Sequence, residues 1–252
     1  MKKIELIQQP HNVKVGDTCG TIEPNIVEDT LFMFEGQPIG FYIRSVEGRA
    51  KKLLELANQE FRSDRVPKST MKRSSGVEQY STVIGSCPPK PHMRRPYPSI
   101  SSVHKSKSAQ IFIKAMIGLC KEGESILHDF MPEQYTEQQR LIKEYTPEKY
   151  RFGTCFTSSI NNYNIAAPFH RDTGNIQGAV NLIFAKKKNA TGGNTTVPDY
   201  NATVDSCDNS LLCYPAWRNV HGVTPINPTH KGGYRNTLVF YPLKSFANLK
   251  EG

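Results

Sequence analysis

The sequence predicts an α+β fold in which a β-rich carboxy-terminal core is braced by helices from the amino-terminal part. Three observations carry this. From Arg151 onward, short segments rich in Thr, Val, Tyr and Phe are separated by Gly, Asn and Pro turns, as in antiparallel all-β cores. Ahead of them, two stretches place apolar residues at helical spacing. No apolar run approaches the roughly 20 residues of a membrane helix, and a 37% hydrophobic fraction with a mean hydropathy of -0.50 describes a water-soluble globular chain. At 252 residues a single elaborated domain is expected. Residues 1–150 would supply strands and bracing helices packed on a core formed by residues 151–252.

Residues 32–44, FMFEGQPIGFYIR, predict two short strands around an EGQP turn, because aromatic and β-branched residues flank a Gly-Pro signal. Val46, Ala50, Leu53, Leu54, Ala57 and Phe61 recur at helical spacing, which predicts an amphipathic helix. SAQIFIKAMIGLCKEGESILHDFM repeats that pattern, and Pro132 opens a further helical piece containing EQQRLIKEY. Then come TCFTSSINNYNI, GAVNLIFAKK, NTTVPDY, SLLCYP and YRNTLVFYPL as strand segments. No internal repeat is visible.

The six cysteines (Cys19, Cys87, Cys120, Cys155, Cys207, Cys213) form no CxxC pair and read as free thiols rather than zinc ligands. The amino terminus MKKIELIQQPHN has no apolar stretch behind its lysines, so a cytoplasmic or nuclear setting is expected. The net charge is +9, and its placement matters more than its size. Between Arg62 and Lys107 ten basic residues face only Asp64 and Glu78, which leaves the rest of the chain almost neutral. Prolines and serines crowd the same stretch, so one reading is a solvated linker. The other is a phosphate-contacting arm with Tyr80, His92 and Tyr97 interleaved among the cations. Composition leaves both open.

In PFHRDTGN, His170 and Asp172 stand two positions apart. If PFHRD ends a strand, the two side chains share a face. A divalent metal needs at least a third protein ligand. His221, 49 positions after Asp172, is the candidate and His230 the alternative. Two histidines and a carboxylate form the facial triad of non-haem iron(II) oxygenases. Enzymes that add 2-oxoglutarate need a cation for its distal carboxylate, which Arg supplies bidentately. Arg235 begins the strand RNTLVFY, where Arg235, Thr237, Val239 and Tyr241 share one face under a period of two.

The run CFTSSINNYNIAAPFHRDTGN, followed by GGNTTVPDYNATV, HGVTPI and GYRNTLVFYPLK, resembles the TET/JBP family of iron(II)- and 2-oxoglutarate-dependent nucleic-acid hydroxylases over roughly residues 151–245. The resemblance implies a double-stranded β-helix, or distorted jelly roll. It implies His170, Asp172 and His221 as iron ligands, Arg235 with Thr237 on 2-oxoglutarate, and dioxygen as cosubstrate. Asn175 would hydrogen-bond a flipped base and Tyr241 would stack on it. The basic segment, with Lys72, Arg73, Arg94 and Arg95, would hold the DNA backbone. Two departures stand out. There is no Cys-rich zinc region, which points to a minimal, microbial- or viral-like member. Leu243 stands where animal TET enzymes carry a base-contacting His, which puts cytosine-specific readout in doubt.

The expected reaction is hydroxylation of a pyrimidine 5-methyl group in DNA by a monomer, with 5-methylcytosine favoured and thymine next. Two other classes stay open: a hydroxylase of the same fold acting on a protein or small molecule, and a DNA-binding module with a dead site.

Overall fold

The protein is described from a computed structural model over residues 1–70, 78–90, 92 and 94–247. In chain order the first half comprises β1 (Lys2–Glu5), β2 (Thr30–Phe34), β3 (Gln37–Ile43), α1 (Gly48–Arg62), β4 (Ser69–Thr70), β5 (Tyr80–Cys87), β6 (Ser99–Ile100), α2 (Gln110–Phe130) and α3 (Pro132–Tyr145). The second half is almost wholly β: β7 (Ser158–Tyr163), β8 (Ala167–His170), β9 (Asn181–Lys188), β10 (Ala190–Gly192), β11 (Thr195–Val197), β12 (Ala202–Val204), β13 (Leu211–Tyr214), β14 (His221–Val223), β15 (Ile226–Pro228) and β16 (Tyr234–Tyr241).

Leaving out the small β10–β15 ribbon, eight strands follow residue 151. The first, third, sixth and eighth form one sheet, ordered β13-β9-β16-β7, and the others form the facing sheet, ordered β12-β11-β14-β8. That alternation between two sheets is the double-stranded β-helix expected from the sequence. The larger sheet continues beyond these four strands. β3 pairs with β13 and carries β2 and β1 outward, while β5 pairs with β7 and carries β4 and β6.

Period-two alternation assigns the faces of the large sheet. On β9 and β16, Leu182, Phe184, Leu238 and Phe240 are fully buried against Leu54, Phe61, Phe112, Met116 and Leu119 of α1 and α2. The opposite faces, with Ile183, Arg235, Thr237, Val239 and Tyr241, line a pocket between the sheets. The core beneath the helices thus fixes the strands that present the site. Leu238→Ala at the centre of that core is expected to cost about 2–5 kcal/mol of stability, read as a lowered urea midpoint with unchanged slope.

Several expectations are corrected in detail. The first hairpin turns at Glu35 and Gly36, both with positive φ (52° and 74°), which suits a two-residue turn of the right twist; Pro38 sits inside β3 rather than in the turn. PDY is a 3-10 turn, Pro198–Tyr200, and not strand. The basic stretch from 62 to 107 is neither linker nor arm throughout. Its middle, YSTVIGSC, is β5, a buried strand of the main sheet. Tyr80 is therefore no phosphate-side residue: it is 6% exposed and stacks on Tyr163 at 4.3 Å. Arg62 lies over the Tyr234 ring at 4.1 Å, and Arg65 is paired with Glu60. Lys72 and Arg73 lie outside the described residues. All six cysteines are free thiols. Among the described residues, no helix is long and apolar enough to cross a membrane.

Candidate metal and 2-oxoglutarate site

His170 ends β8 and His221 begins β14, and the two are register partners across that antiparallel pair. Partners directly opposite one another stand on one face with their side chains adjacent. This is why residues 51 positions apart have ring centroids 4.3 Å apart. Asp172 arrives differently from the sequence expectation. β8 stops at His170, and Asp172 lies in the following turn, with its backbone N–H donating to the Ala216 carbonyl at 3.1 Å. The turn brings its Oδ1 to 3.6 Å from His170 Nε2. One ligand atom from each of His170, Asp172 and His221 lies within 4.8 Å of the others. His230 is exposed and bonded to its neighbour Thr229, away from this cluster.

The hydrogen bonds around the triad prepare it for a cation. His170 Nδ1 lies 2.8 Å from the Pro168 carbonyl, and His221 Nδ1 lies 3.1 Å from the Asn219 carbonyl. A carbonyl can only accept, so each Nδ1 carries its proton and donates it, leaving the Nε2 lone pair for a metal. Burial first, then the neighbouring His170 ring, hold the His221 pKa well below the usual imidazole range, which favours the neutral, ligating form. Asp172 Oδ2 accepts from Asn181 Nδ2 at 3.1 Å, and Asn181 Oδ1 accepts from Asn175 Nδ2 at 2.8 Å. Since the carboxylate only accepts, this chain fixes which way both amides point.

The PDY motif connects to the second histidine. Asp199 accepts from Asn219 Nδ2 at 2.5 Å, and its other oxygen lies 2.6 Å from His11 Nε2. Asn219 in turn supplies the carbonyl that orients His221. Asp199→Ala frees that loop, and its expected result is iron(II) affinity lower by about 10- to 100-fold with the fold retained, checked by anaerobic metal titration and circular dichroism.

Arg235 is 3% exposed, and Ser206 Oγ accepts from its Nε at 2.8 Å. No ion pair joins it to a carboxylate among the described residues, and burial pushes its pKa down to about 10. An anion is what such a site lacks. The Gly-Gly turn makes room for the Arg235 side chain. Both Gly192 and Gly193 have φ of 72°; a Cβ on Gly192 would strike the Pro225 carbonyl, and one on Gly193 would strike the Arg235 side chain. Thr237 follows Arg235 on the same face at 3% exposure.

These groups share one pocket of roughly 450 Å³, within the usual range for small-molecule sites. Ile160, Ile183, Val239 and Leu243 give it apolar walls, and Tyr241 and Asn175 also line it. Burial raises the Tyr241 pKa, and the Cys87 thiol adds to the effect. Cys87 leads into a short hairpin in which Lys90 and Arg95 exchange backbone hydrogen bonds, with Arg94 and Arg95 exposed. Ser158 pairs with Tyr241 on one side and with Gly85 on the other, so β5 ends at Cys87 near Tyr241 and the basic residues that follow stand on the Tyr241 side of the pocket. Sequence reasoning missed Asn181, Ser206 and Tyr214, whose ring meets His221 edge-on at 5.3 Å. Asn181 has the parity of Ile183 on β9, which was a usable signal; Ser206 sits in a loop and gave none.

No protein-family model matches the chain, and no curated protein matches it in sequence. Solved structures do. NgTET1 in complex with 5mC DNA matches with a TM-score of 0.61 at 14% identity, over 94% of this chain and 84% of that one. An oxidoreductase of the 2OG-Fe(II) oxygenase family from Burkholderia pseudomallei matches with a TM-score of 0.50 at 11% identity, over 84% and 88% of the two chains. The fold is that of the 2OG-Fe(II) oxygenases. In this oxygenase fold the donor set fits iron(II): two imidazoles and a carboxylate on one side, with pocket volume left beside them. The buried Arg235 fits the distal carboxylate of 2-oxoglutarate in the same cavity.

Proposed function

We propose that this chain is an iron(II)- and 2-oxoglutarate-dependent dioxygenase that hydroxylates the 5-methyl group of a pyrimidine in DNA, 5-methylcytosine first and thymine second. The observation that carries the oxygenase reading is the convergence of His170, Asp172 and His221 in one pocket with a buried, anion-seeking Arg235. His170, Asp172 and His221 would hold the iron. When bound with 2-oxoglutarate, it supplies oxidation of a C–H bond to C–OH by dioxygen, with succinate and carbon dioxide as co-products.

The chain's own residues do the positioning. Arg235, braced by Ser206 and assisted by Thr237, pairs with the distal carboxylate and so orients the keto acid. Asn181 holds Asp172 and, through Asn175, the amide that faces the substrate side. Ile160, Ile183, Val239 and Leu243 keep water from the methyl group to be oxidised. A base inside a duplex cannot reach this depth, so it would be flipped out, at a cost of a few kcal/mol, and received by Tyr241 and Asn175. The DNA reading draws support from the basic hairpin beside Tyr241 and from a neighbour of like fold solved with 5mC DNA.

The deciding experiment incubates the protein with iron(II), 2-oxoglutarate, ascorbate and DNA carrying 5-methylcytosine or thymine, and reads nucleosides by mass spectrometry. Hydroxymethyl product is expected, with none from His170→Ala; no oxidised base from either DNA sinks the DNA reading, and succinate release without it favours a protein or small-molecule substrate. Paired substitution Arg94→Ala with Arg95→Ala is expected to lower the salt slope of DNA affinity by about 2, roughly 0.9 for each lost phosphate contact. An unchanged slope removes the hairpin from the interface.

A further inference from the structure

A second cavity, of about 40 Å³, lies between the sheets, walled by Leu6, Phe32, Ile39, Val197, Val204 and Leu212. It shares two lining residues, Tyr214 and Thr195, with the pocket that holds the triad. Tyr214 has one side toward this cavity and packs its ring edge-on against His221. A single layer of side chains thus separates an apolar cavity from a metal-ligating histidine.

The cavity's chemistry narrows its occupant. A buried water needs two to four polar partners, and apolar cavities stay dry and take up xenon or benzene instead. These aliphatic and aromatic walls offer almost none. The volume is too small for 2-oxoglutarate or a base, which the larger pocket accommodates. A small nonpolar gas matches both size and polarity. We propose that this cavity binds dioxygen and feeds it past Tyr214 and Thr195 to the site. The inference rests on the oxygenase reading for its purpose but not for its detection.

The test uses the metal-free 252-residue chain, in which no turnover occurs. Dissolved dioxygen is paramagnetic and broadens the methyl resonances it touches. Under oxygen pressure, methyls of Leu6, Ile39, Val197 and Leu212 are expected to broaden well beyond those of Ile43, Leu53 and Ile126, which are likewise apolar and partly buried but pack on the helix-covered core. Equal broadening overturns the gas site. Ala202→Leu, which fills the cavity from β12, should abolish the excess; Val197→Phe reaches the same space should the first variant fail to fold. In the iron-loaded enzyme either variant should raise the KM for dioxygen about fivefold with kcat at saturating oxygen unchanged, because supply and not chemistry is altered. An unchanged oxygen KM overturns the feeding route. Absence of any turnover in the wild type overturns the oxygenase reading instead, while the methyl broadening still decides the gas site.

Discussion

An Arg235→Met enzyme is expected to need at least about 30-fold more 2-oxoglutarate for half-saturation, since losing one partner of a buried charge pair costs about 2–5 kcal/mol. The same substitution is expected to raise the melting temperature of the protein in the absence of 2-oxoglutarate. The two effects have one cause. Arg235 is buried beside Ser206 and has no carboxylate partner among the described residues. Burial brings its pKa down to about 10, a penalty on the charged form of about 3 kcal/mol. The bound carboxylate offsets that penalty, and until it arrives the cation is a liability to the fold. Met keeps the apolar stem as far as the Nε position and removes the charge. Thermal unfolding with and without the keto acid checks both halves: 2-oxoglutarate should stabilise the wild type and leave the variant unmoved. A variant that is destabilised and keeps its KM would show that Arg235 serves packing alone.

His221→Ala is expected to bring product below detection, a loss above about a thousandfold, and to weaken iron(II) binding by about two orders of magnitude. The site then keeps one imidazole and one carboxylate, fewer than a divalent ion needs. Because His221 is 3% exposed and meets Tyr214 and His170, its removal also leaves a small void, so unfolding curves must accompany the binding data. His230→Ala provides the contrast. That residue is exposed, and both iron affinity and turnover should stay at the wild-type level. Equal iron binding by wild type and His221→Ala would discard the ligand set.

Period and spacing made much of this legible beforehand. The strand RNTLVFY separates its two faces in the sequence as it does in space, with Leu238 and Phe240 under the helices and Arg235 and Thr237 in the pocket. The helices from Val46 and from Ser108 were visible for the same reason: one face of each is apolar. What stayed hidden depended on contacts distant in sequence. Tyr80 looked exposed because cations and prolines flank its strand, yet pairing of β5 with β7 buries it. Asp172 reaches His170 through a turn held by Ala216, which no two-residue periodicity encodes. The value of Asp199 could not be read from PDY, since its partners, His11 and Asn219, lie 188 positions before it and 20 after it.

The main sheet sets an order of assembly. β3 pairs early with β2, but its other edge finds a partner only in β13, through pairs such as Tyr42 with Leu212, and the free edge of β5 waits for β7, through pairs such as Tyr80 with Tyr163. As the chain leaves the ribosome, its first half therefore emerges with open strand edges and half-covered helices. The β5 edge closes once β7 is free and the β3 edge only once β13, beyond residue 210, is free, so the nascent chain must cross a long interval in which sticking to another copy competes with completion. Production at lower temperature or slower synthesis is where this protein's yield should be won.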